Sequence, residues 1–536
     1  MLISQKKPYC QFKSVFTTET EFKPTQAQPR FPSMPPIHIS SSGVLKLLQQ
    51  LNPTKASGPD NLSPRVLREL SQQIAEPFTI IFQRSLNEGV LPDDWHRANV
   101  VPVFKKGQKY LCSNYRPISL TCVISKVMEH IISSNIMSHA NTHNILYPLQ
   151  HGFRSRRSCE SQLIEFVHDI VSNMAAGHQT DVCILDFAKA FDKVGHRRLV
   201  EKLKWYGIDG AVNTWIESFL SCRTQRVVVE GESSEELEVT SGVPQGSVLG
   251  PCLFLYYIND IAEGLSSTVR LFADDTMIYM AIRNDSDAEA LQKDLDLLCE
   301  WEAKWMMEFH PDKCEILTIT RKKSPVIYSY RIHGQQLKHS DQAKYLGVNI
   351  SSDMRWNKHI DTVTAKANSR LGFVKRNINI NSRAVKEQAY KSLVRPILEY
   401  SQTVWDPYTV TQTQQLESVQ RRAARFTMSR YRRTSSVGAM LAELNWEPLA
   451  SRRRAARLVF FYKVHYELVA VNMPLELKHH PGPTRTENSL AYYIPATSVD
   501  YQKNSFFFRT VRDWNYLPEE AVLAATPESF RNYISP

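Results

Sequence analysis

The most constraining feature of the sequence is a pair of short apolar strands joined by an acidic turn, in the segment VRLFADDTMIYMA (269–281). Asp274 and Asp275 form this turn, and apolar residues flank them on both sides. Another apolar strand, DVCILDF (181–187), carries a carboxylate near its end, Asp186. Buried strands of this kind need other elements to cover them, so the chain must build its core from packed layers.

Helical patterns alternate irregularly with these strands. Apolar spacing predicts a helix over 160–177 and another over about 291–305. Further elements are helices over 196–206, 211–221 and 248–261, a hairpin around Gly231, and strands in KCEILTIT and AKYLGVNI. From Trp356 onward the pattern is mostly helical. Hairpins rather than regular βαβ crossovers predict an α+β fold with an antiparallel sheet.

Length and composition exclude several classes of protein. The chain has 536 residues, 42% of them apolar and 22% charged, which indicates a folded protein of several domains. No apolar run reaches the roughly 18 to 20 residues that cross a bilayer, so we expect no membrane association. The nine cysteines include no C-x-x-C pair. A reducing, intracellular compartment is therefore predicted, either nucleus or cytoplasm.

Positive charge is concentrated in the C-terminal part. The net charge is +11, and residues 417–463 hold eleven Lys or Arg against three acids, so 11 − 3 = +8 lies in this stretch. Two interpretations remain open: solvated helices, or a surface that follows nucleic-acid phosphates. The candidate nucleic-acid-binding residues are Arg421, Arg422, Arg425 and Arg432.

The acidic segments also allow two interpretations. Carboxylates close together in a partly dry site repel each other, unless a cation such as Mg²⁺ neutralises them. An Asp-Asp pair also arises by chance, and Asp93-Asp94 in LPDDW is interpreted as a turn or helix cap. A solvated turn does not need the apolar flanks of Asp274 and Asp275, but these flanks by themselves leave both interpretations open.

An ordered set of nine segments resembles the reverse transcriptases of non-LTR retrotransposons, LINE-type elements of the jockey and CR1-like groups. The resemblance covers residues from about 40 to the C-terminus. The segments are KASGPDNLSP (55–64), VVPVFKKG (100–107), NYRPISL (114–120), QHGFRSRRS (150–158), ILDFAKAFDKV (184–194), GVPQGSVLGP (242–251), LFADDTMIY (271–279), HPDKCEILT (310–318) and YLGV (345–348).

The resemblance implies a right-hand polymerase fold with fingers, an antiparallel palm sheet and a helical thumb, followed by a mostly helical basic C-terminal region. The expected divisions are a disordered tail (1–39), a helical extension of the fingers (40–95), the reverse transcriptase domain (96–350), a helical basic thumb region (351–470) and a C-terminal segment (471–536).

The resemblance also implies the catalytic residues. Asp186, Asp274 and Asp275 match the family's catalytic aspartates, and Asp186 and Asp274 would be the main ligands of two Mg²⁺ ions. The backbone carbonyl of Phe187 would complete this metal site. We therefore expect the carboxylates of Asp186 and Asp274 to converge within about 5 Å.

Other matched residues imply substrate contacts. The residues implied for the incoming dNTP are Lys105, Arg116, Phe191 as a steric gate, Gln245, Gly246 and Lys313, and those implied for a primer grip are Tyr345, Leu346 and Gly347. Taken one at a time, these residues would by default have structural roles, such as a solvated basic loop for Lys105 and Arg116 or a core position for Phe191.

The implied activity is RNA-directed DNA synthesis, in which dNTPs are added to a primer 3′-hydroxyl. The partners would be an RNA template, a DNA primer and dNTPs. Only some 40 residues precede the match, so an endonuclease would act in trans. A DNA-templated polymerase, or a decayed or host-retained copy that binds RNA or RNA–DNA hybrid without polymerising, are the alternatives. Arg156 stands where the family pattern leads us to expect glycine.

Overall fold

A computed structural model describes residues 14–22, 28–432, 434–480, 488–494, 496–497 and 499–534. The helices up to residue 305 are α1 (Ser41–Gln49), α2 (Pro64–Glu69), α3 (Ser71–Glu88), α4 (Val123–Thr142), α5 (Cys159–Ala175), α6 (His196–Trp205), α7 (Gly210–Leu220), α8 (Leu249–Ile258) and α9 (Asp285–Trp305). The later helices are α10 (Asn357–Asn377), α11 (Arg383–Leu393), α12 (Arg395–Glu399), α13 (Gln402–Trp405), α14 (Val410–Met428), α15 (Val437–Glu443), α16 (Leu449–His465), α17 (Asp500–Lys503), α18 (Phe506–Asn515), α19 (Glu519–Val522) and α20 (Pro527–Ile534).

The strands are β1 (Arg97–Phe104), β2 (Tyr115–Leu120), β3 (Gln179–Asp186), β4 (Thr224–Val229), β5 (Glu232–Ser233), β6 (Leu237–Glu238), β7 (Thr268–Phe272), β8 (Asp275–Ile282), β9 (Glu315–Ile319), β10 (Arg331–Ile332), β11 (Gln335–Gln336), β12 (Lys338–His339), β13 (Gln342–Tyr345) and β14 (Val348–Ser351). The predicted hairpin after Gly264, the strand before Phe187 and the long helical C-terminal part are confirmed.

The central sheet has the strand order β12-β9-β3-β8-β7. β3 pairs antiparallel with both β8 and β9, and β7 pairs antiparallel with β8, as predicted for an antiparallel sheet. The short pairing of β12 with β9 is parallel and departs from that prediction. The acidic turn and the C-terminal end of β3 therefore lie together, at one end of the strands of this sheet.

Helices cover both faces of the central sheet. Side chains of β3 alternate between two apolar cores, with Cys183 and Leu185 in one and Val182 in the other. The first core also contains α1 to α4 and α6 to α9. The second contains α5, the β13–β14 hairpin and the C-terminal helices. Burial on both faces explains the unbroken apolar run at 182–185 in β3, where no polar residue alternates with the apolar ones.

A smaller sheet lies beside the central one. Its order is β2-β1-β4-β5, with β6 also paired to β4. β1 and β2 form an antiparallel hairpin in which Val103 lies opposite Arg116, whereas β1 and β4 run parallel. This hairpin carries the basic segment that follows β1.

The described part of the N-terminal region is packed rather than disordered, contrary to the expectation for 1–39. Residues 1–13 and 23–27 lie outside the described residues. The Phe31 ring lies 6.1 Å from Tyr206, Met34 N–H donates to the Gly207 carbonyl, and Ile37 is buried. Apolar residues spaced along this segment pack against the first core. Their burial offsets the conformational entropy lost when this mostly polar segment becomes ordered.

The C-terminal helices are joined by buried ion pairs. Asp406 accepts from Arg453 at 2.7 Å and from Arg457 at 2.8 Å, and Arg509 lies 3.3 Å away. Part of the positive charge at 417–463 is therefore balanced by acids elsewhere in the chain. Among the described residues, no helix has the length and apolar character needed to cross a bilayer.

Candidate active site

Three aspartates lie close together at one end of the central sheet, where β3 ends and β7 turns into β8. In the antiparallel register of β3 and β8, Asp186 lies directly opposite Asp275. Phe272 pairs with the same Asp275, so Ala273 and Asp274 form a two-residue turn between β7 and β8. Residues opposite each other in such a ladder project to the same face, about 5 Å apart at Cβ. The fold thus brings together carboxylates that are 88 residues apart in the chain (274 − 186 = 88).

The pKa values of two of these aspartates are raised, as expected for carboxylates that lie close together without a neutralising cation. Burial raises the pKa of Asp274, and the neighbouring Asp186 charge adds to the increase. Burial, Asp274 and Asp186 together raise the pKa of Asp275 to about 6. Oxygen donors so arranged suit a hard divalent cation. Among the described residues, however, the ligand oxygens of the three aspartates are not all close enough to one another to form a three-ligand metal cluster. One group of residues elsewhere in the described part of the chain is.

A preceding loop supports the turn from behind. The side-chain Oε1 of Gln150 accepts hydrogen bonds from the backbone N–H of Ala273 at 2.9 Å and of Gly152 at 2.8 Å. A Cβ on Gly152 would lie 2.2 Å from the Ala273 nitrogen. Ala273 itself has φ 54°, in the left-handed region. The strained turn is therefore held by a glutamine and by close backbone contact.

Lys313 sits beside the first aspartate. Its Nζ lies 2.9 Å from Oδ2 of Asp186, and both side chains are about half exposed. Backbone bonds fix the loop that carries the lysine, because His310 N–H donates to the Asp186 carbonyl at 2.8 Å. An ion pair this exposed contributes little to stability, so Lys313 can exchange its partner at low cost.

The β1–β2 hairpin places basic groups toward the acids. Lys105 follows β1, and its N–H donates to the Asn114 carbonyl at 2.8 Å. Burial and the charge of Arg116 lower the pKa of Lys105, while Asp186 opposes this change. These interactions bring Lys105, Arg116 and the aspartates into one electrostatic neighbourhood.

The loop at 242–246 bridges the two sheets. Gln245 donates a side-chain hydrogen bond to Asp192 at 3.1 Å, and its carbonyl accepts from Ser119 N–H on β2 at 2.7 Å. Gly246 has φ 123°, and a Cβ there would lie 2.5 Å from the Ser119 carbonyl oxygen. Only glycine permits this approach of the loop to β2.

Phe191 lies next to this loop, in the short 3₁₀ turn Ala190–Asp192. Its half-buried ring stacks on Phe254 with centroids 4.3 Å apart and meets the exposed Phe153 ring edge-on at 6.2 Å. The Phe191 carbonyl accepts from Val243 N–H at 2.8 Å. Phe187, by contrast, is buried and stacks on Phe309 with centroids 4.2 Å apart.

The segment Tyr345–Gly347 forms the turn of the β13–β14 hairpin. Leu346 and Gly347 have φ of 43° and 87°, as a two-residue hairpin turn requires. The Tyr345 ring is buried, and its hydroxyl accepts from Gln162 at 3.1 Å. Tyr400 donates to the Leu346 carbonyl at 2.9 Å and fixes the turn. Gly347 at this turn is exposed, whereas Leu346 is half-buried against the second core.

The four C-terminal arginines lie apart from this cluster, on and after α14. Arg421, Arg422 and Arg432 are exposed and Arg425 is half-buried. Arg422 donates to the Asn368 side chain at 2.8 Å, and Arg425 to the Arg432 carbonyl at 3.3 Å. None of the four has an acidic partner among the described residues, whereas Arg430 pairs with Glu443 at 2.7 Å.

Three supporting side chains were not singled out from the sequence. Gln150 and Asp192 occur inside the segments QHGF and DFAKAFD, so their place in those segments was the available signal. Arg270, on β7, gave no such signal; it is buried and bonds Glu165 at 2.8 Å and Asp169 at 2.7 Å. Burial would raise the pKa of Glu165, but its contacts with His151 and Arg270 lower that pKa to about 2.

Comparison with known proteins agrees with this geometry. Residues 103–350 match the family described as reverse transcriptase (RNA-dependent DNA polymerase). An RNA-directed DNA polymerase from mobile element jockey of Drosophila melanogaster is 27% identical over 386 residues, which are 70% of this chain and 42% of the relative. The jockey polymerase of Drosophila funebris is 29% identical, with the same coverage of 70% and 42%.

A probable RNA-directed DNA polymerase from transposon BS of Drosophila melanogaster is 26% identical over 413 residues, 73% of this chain and 45% of the relative. The chain thus spans less than half the length of each of these relatives. The family match contains the three aspartates, Lys105 and Arg116 of the basic hairpin, and the bridging loop. Residues 103–350 therefore match the reverse transcriptase family, and the chain is similar to the RNA-directed DNA polymerases of jockey and transposon BS.

Proposed function

We propose that this chain is an RNA-directed DNA polymerase that extends a DNA primer with dNTPs on an RNA template. The observation that carries the proposal is the meeting of Asp186 with Asp274 and Asp275 at one sheet edge, opposite the basic β1–β2 hairpin. Acids on one side and cations on the other form a site suited to a triphosphate with its metal ions.

Asp186, Asp274 and Asp275 would hold two Mg²⁺ ions, with the Phe187 carbonyl as a further ligand. The raised pKa values of Asp274 and Asp275 support this assignment, because burial and mutual repulsion of the carboxylates call for a compensating cation. When bound, such a pair of ions activates the primer hydroxyl and neutralises charge on the phosphates. The protein's own part is to hold the carboxylates on a rigid ladder and turn.

The basic residues would bind the triphosphate. Arg116 offers a planar fork and Lys105 a compact charge, and Asp186 already lies in their neighbourhood. Lys313 would move from Asp186 to the phosphates and supply a proton to the leaving pyrophosphate. Lys105, Arg116 and Lys313 could all bind phosphate oxygens, because no buried ion pair among the described residues holds their side chains.

Phe191, Gln245 and Gly246 would shape the nucleotide pocket. The stacked and half-buried ring of Phe191 is rigid enough to exclude a 2′-hydroxyl and favour dNTPs. Gln245 and Gly246 would support the new base pair from the bridging loop. Tyr345, Leu346 and Gly347 would act as the primer grip, in which the turn backbone at Leu346 and exposed Gly347 would make the contact and buried Tyr345 would anchor it.

The proposed layout assigns the β1–β2 sheet to fingers, the central sheet to a palm and the helices after β14 to a thumb. Arg421, Arg422, Arg425 and Arg432 would contact the template–primer backbone there, since no acidic partner among the described residues occupies them. An endonuclease supplied in trans would provide the primer end.

Primer extension on an RNA template tests the proposal. The full chain should extend an annealed DNA primer when Mg²⁺ and dNTPs are present, and chelation of the metal should stop extension. Asp274→Asn should lower the rate by at least about 1,000-fold, because it removes a carboxylate that would hold the metal ions, and circular dichroism should show that the fold is retained.

The chain provides a matched control in its other Asp-Asp pair. Asp93 opens a 3₁₀ turn, as predicted for LPDDW, and is exposed. Asp93→Asn should extend like the wild type. Salt-sensitive hybrid binding without any extension would contradict polymerase activity and favour a binding protein instead. Faster extension on DNA templates than on RNA templates would contradict the template assignment.

A further inference from the structure

Three side chains with different ligand atoms meet on α9, outside the acidic turn. Cys299 and Glu302 are three positions apart and therefore lie on the same helix face. His333 comes from the turn between β10 and β11. One sulfur, one carboxylate oxygen and one ring nitrogen of this cluster lie within 4.8 Å of one another.

Glu302 is the buried acid of this cluster. Its side chain is only 3% exposed. One carboxylate oxygen, Oε1, accepts from the Phe309 backbone N–H. The Cys299 thiol and the His333 ring also interact with this carboxylate, and the oxygen that faces the ring is Oε2. Nε2 of His333 lies 3.1 Å from this oxygen without forming a well-directed hydrogen bond. A buried carboxylate held by a thiol and an imidazole would be stabilised further by a cation bound among the three groups.

The backbone positions the histidine for this contact. His333 and Gly334 have φ of 51° and 74°. A turn of this kind favours Asn, Asp or Gly at both places, so a histidine at the first is unusual. Gln292 on α9 fixes the hairpin, because its amide exchanges hydrogen bonds with the Arg331 backbone at 2.8 and 3.0 Å. The imidazole is thus held over Glu302 by the turn and by α9.

We propose that Cys299, Glu302 and His333 form a binding site for Zn²⁺ or a chemically similar divalent cation. Thiolate, imidazole and carboxylate are the donors that zinc prefers, and a water molecule would take the fourth position. Magnesium is a poor fit for a sulfur ligand, so this site is distinct in chemistry from the aspartate cluster. The His333 side chain is 41% exposed, which provides an entry path.

The bound cation would brace the back of the aspartate cluster. Glu302 bonds Phe309, whose ring stacks on Phe187, and Phe187 directly follows Asp186. A cation on Glu302 would therefore link α9 and the β10–β11 hairpin to the end of β3. This role is structural and does not depend on whether the chain polymerises.

Cobalt substitution tests the site in the full chain. After chelation and removal of the chelator, Co²⁺ alone is titrated and the thiolate-to-cobalt charge-transfer absorption is followed. We expect one equivalent of Co²⁺ per chain and displacement by Zn²⁺. Cys299→Ala should abolish the absorption, and His333→Ala should weaken binding at least about tenfold. Cys222→Ala is the control, since Cys222 is exposed and lies outside the cluster.

A second measurement uses the wild-type chain and so does not depend on the variants folding. Alkylation followed by mass spectrometry should show that Zn²⁺ protects Cys299 and leaves the modification of Cys222 unchanged. An absent charge-transfer band, the same band in a folded Cys299→Ala variant, or unprotected Cys299 would overturn the site. Loss of Mg²⁺-dependent extension alone would bear on the polymerase proposal and not on this one.

Discussion

Asp192 illustrates how a single residue can support the candidate site without taking part in it. Its side chain is buried at the junction of the 3₁₀ turn and the bridging loop, where it accepts from Gln245. Burial raises its pKa to about 6, while Lys189 and Gln245 oppose the increase. At neutral pH the ionised Asp192 carboxylate is therefore buried, and its loss of hydration lowers the free energy of unfolding.

We predict that Asp192→Asn stabilises the chain at pH 8 but not at pH 3.5. The folded state has the higher pKa and binds the proton more tightly than the unfolded state, so stability falls as pH rises from about 4 to about 6. The asparagine removes this loss, which amounts to roughly 2 to 3 kcal/mol at pH 8. Urea unfolding of both proteins at the two pH values measures the difference. Equal stabilisation at both would show that packing, not charge, is responsible.

Arg156 shows why glycine suits its position. Its φ is 63°, in the left-handed region that costs a residue with a Cβ about 1 kcal/mol. The arginine gains one contact that a glycine would lack, because its guanidinium donates to the Glu467 carbonyl. The bond from Ala470 N–H to the carbonyl of residue 156, at 2.8 Å, uses backbone atoms only. The departure from the family pattern is thus accommodated by the C-terminal region.

At the scale of elements, the candidate site depends on how the loop before α5 packs against the β7–β8 turn. His151 N–H donates to the Leu271 carbonyl at 2.8 Å, and Leu271 N–H donates to the Leu149 carbonyl at 3.1 Å. With the Gln150 bonds, these contacts extend the edge of the central sheet by one more strand-like segment. The position of Asp274 therefore depends on a loop more than a hundred residues earlier in the chain.

We predict that Gly152→Ala lowers primer extension by about 100-fold, because the new Cβ would displace the turn that carries Asp274. A loss of about 1 to 3 kcal/mol in unfolding free energy should accompany it. Gly438→Ala is the matched control, since its Cβ would meet only Ser436 Oγ at 3.7 Å. Wild-type extension by a folded Gly152→Ala variant would contradict the role given to this contact.

At the scale of the whole molecule, the C-terminal helices form one body around Asp406. Arg453 and Arg457 come from α16 and Arg509 from α18, so that one carboxylate ties distant segments together. Arg457 also pairs with Asp513 at 2.9 Å. The segment that looked most basic is therefore partly internal structure.

We predict that Asp406→Asn destabilises the chain by about 3 to 5 kcal/mol, because two buried guanidinium groups would lose their counter-charge. Chemical unfolding measures the loss. Asp513→Asn should cost less, since Asp513 is 29% exposed and water can replace it. A smaller effect of Asp406→Asn than of Asp513→Asn would refute the central position of Asp406.

We also predict that exchange of Arg421 and Arg422 for alanine lowers the salt dependence of RNA–DNA hybrid binding. If each contacts one phosphate, the slope of log affinity against log salt should fall by about 1.5 in the double variant. Binding isotherms at several salt concentrations measure the slope. Arg430→Ala should leave it nearly unchanged because Glu443 already neutralises Arg430. An unaltered slope in the double variant would exclude these two residues from the interface.

Much of the local structure follows from the order of residues. The apolar run of β3, the helix at 159–175 and the β7–β8 hairpin were all predicted, because periodicity and turn residues act over short distances. The ordered segments also led to the family, which the match over 103–350 confirms. The roles assigned to single residues remain proposals, since they depend on ligands that bind between elements.

Long-range pairing decided the rest. No local pattern indicates that Gln150 holds the turn of Asp274, that Asp406 neutralises Arg453 and Arg457, or that residues 28–39 lie on the first core. Cys299, Glu302 and His333 likewise come together only through the packing of a hairpin on α9. Local sequence sets what each segment can form, whereas burial and charge compensation between segments far apart in the chain set which partner each one meets.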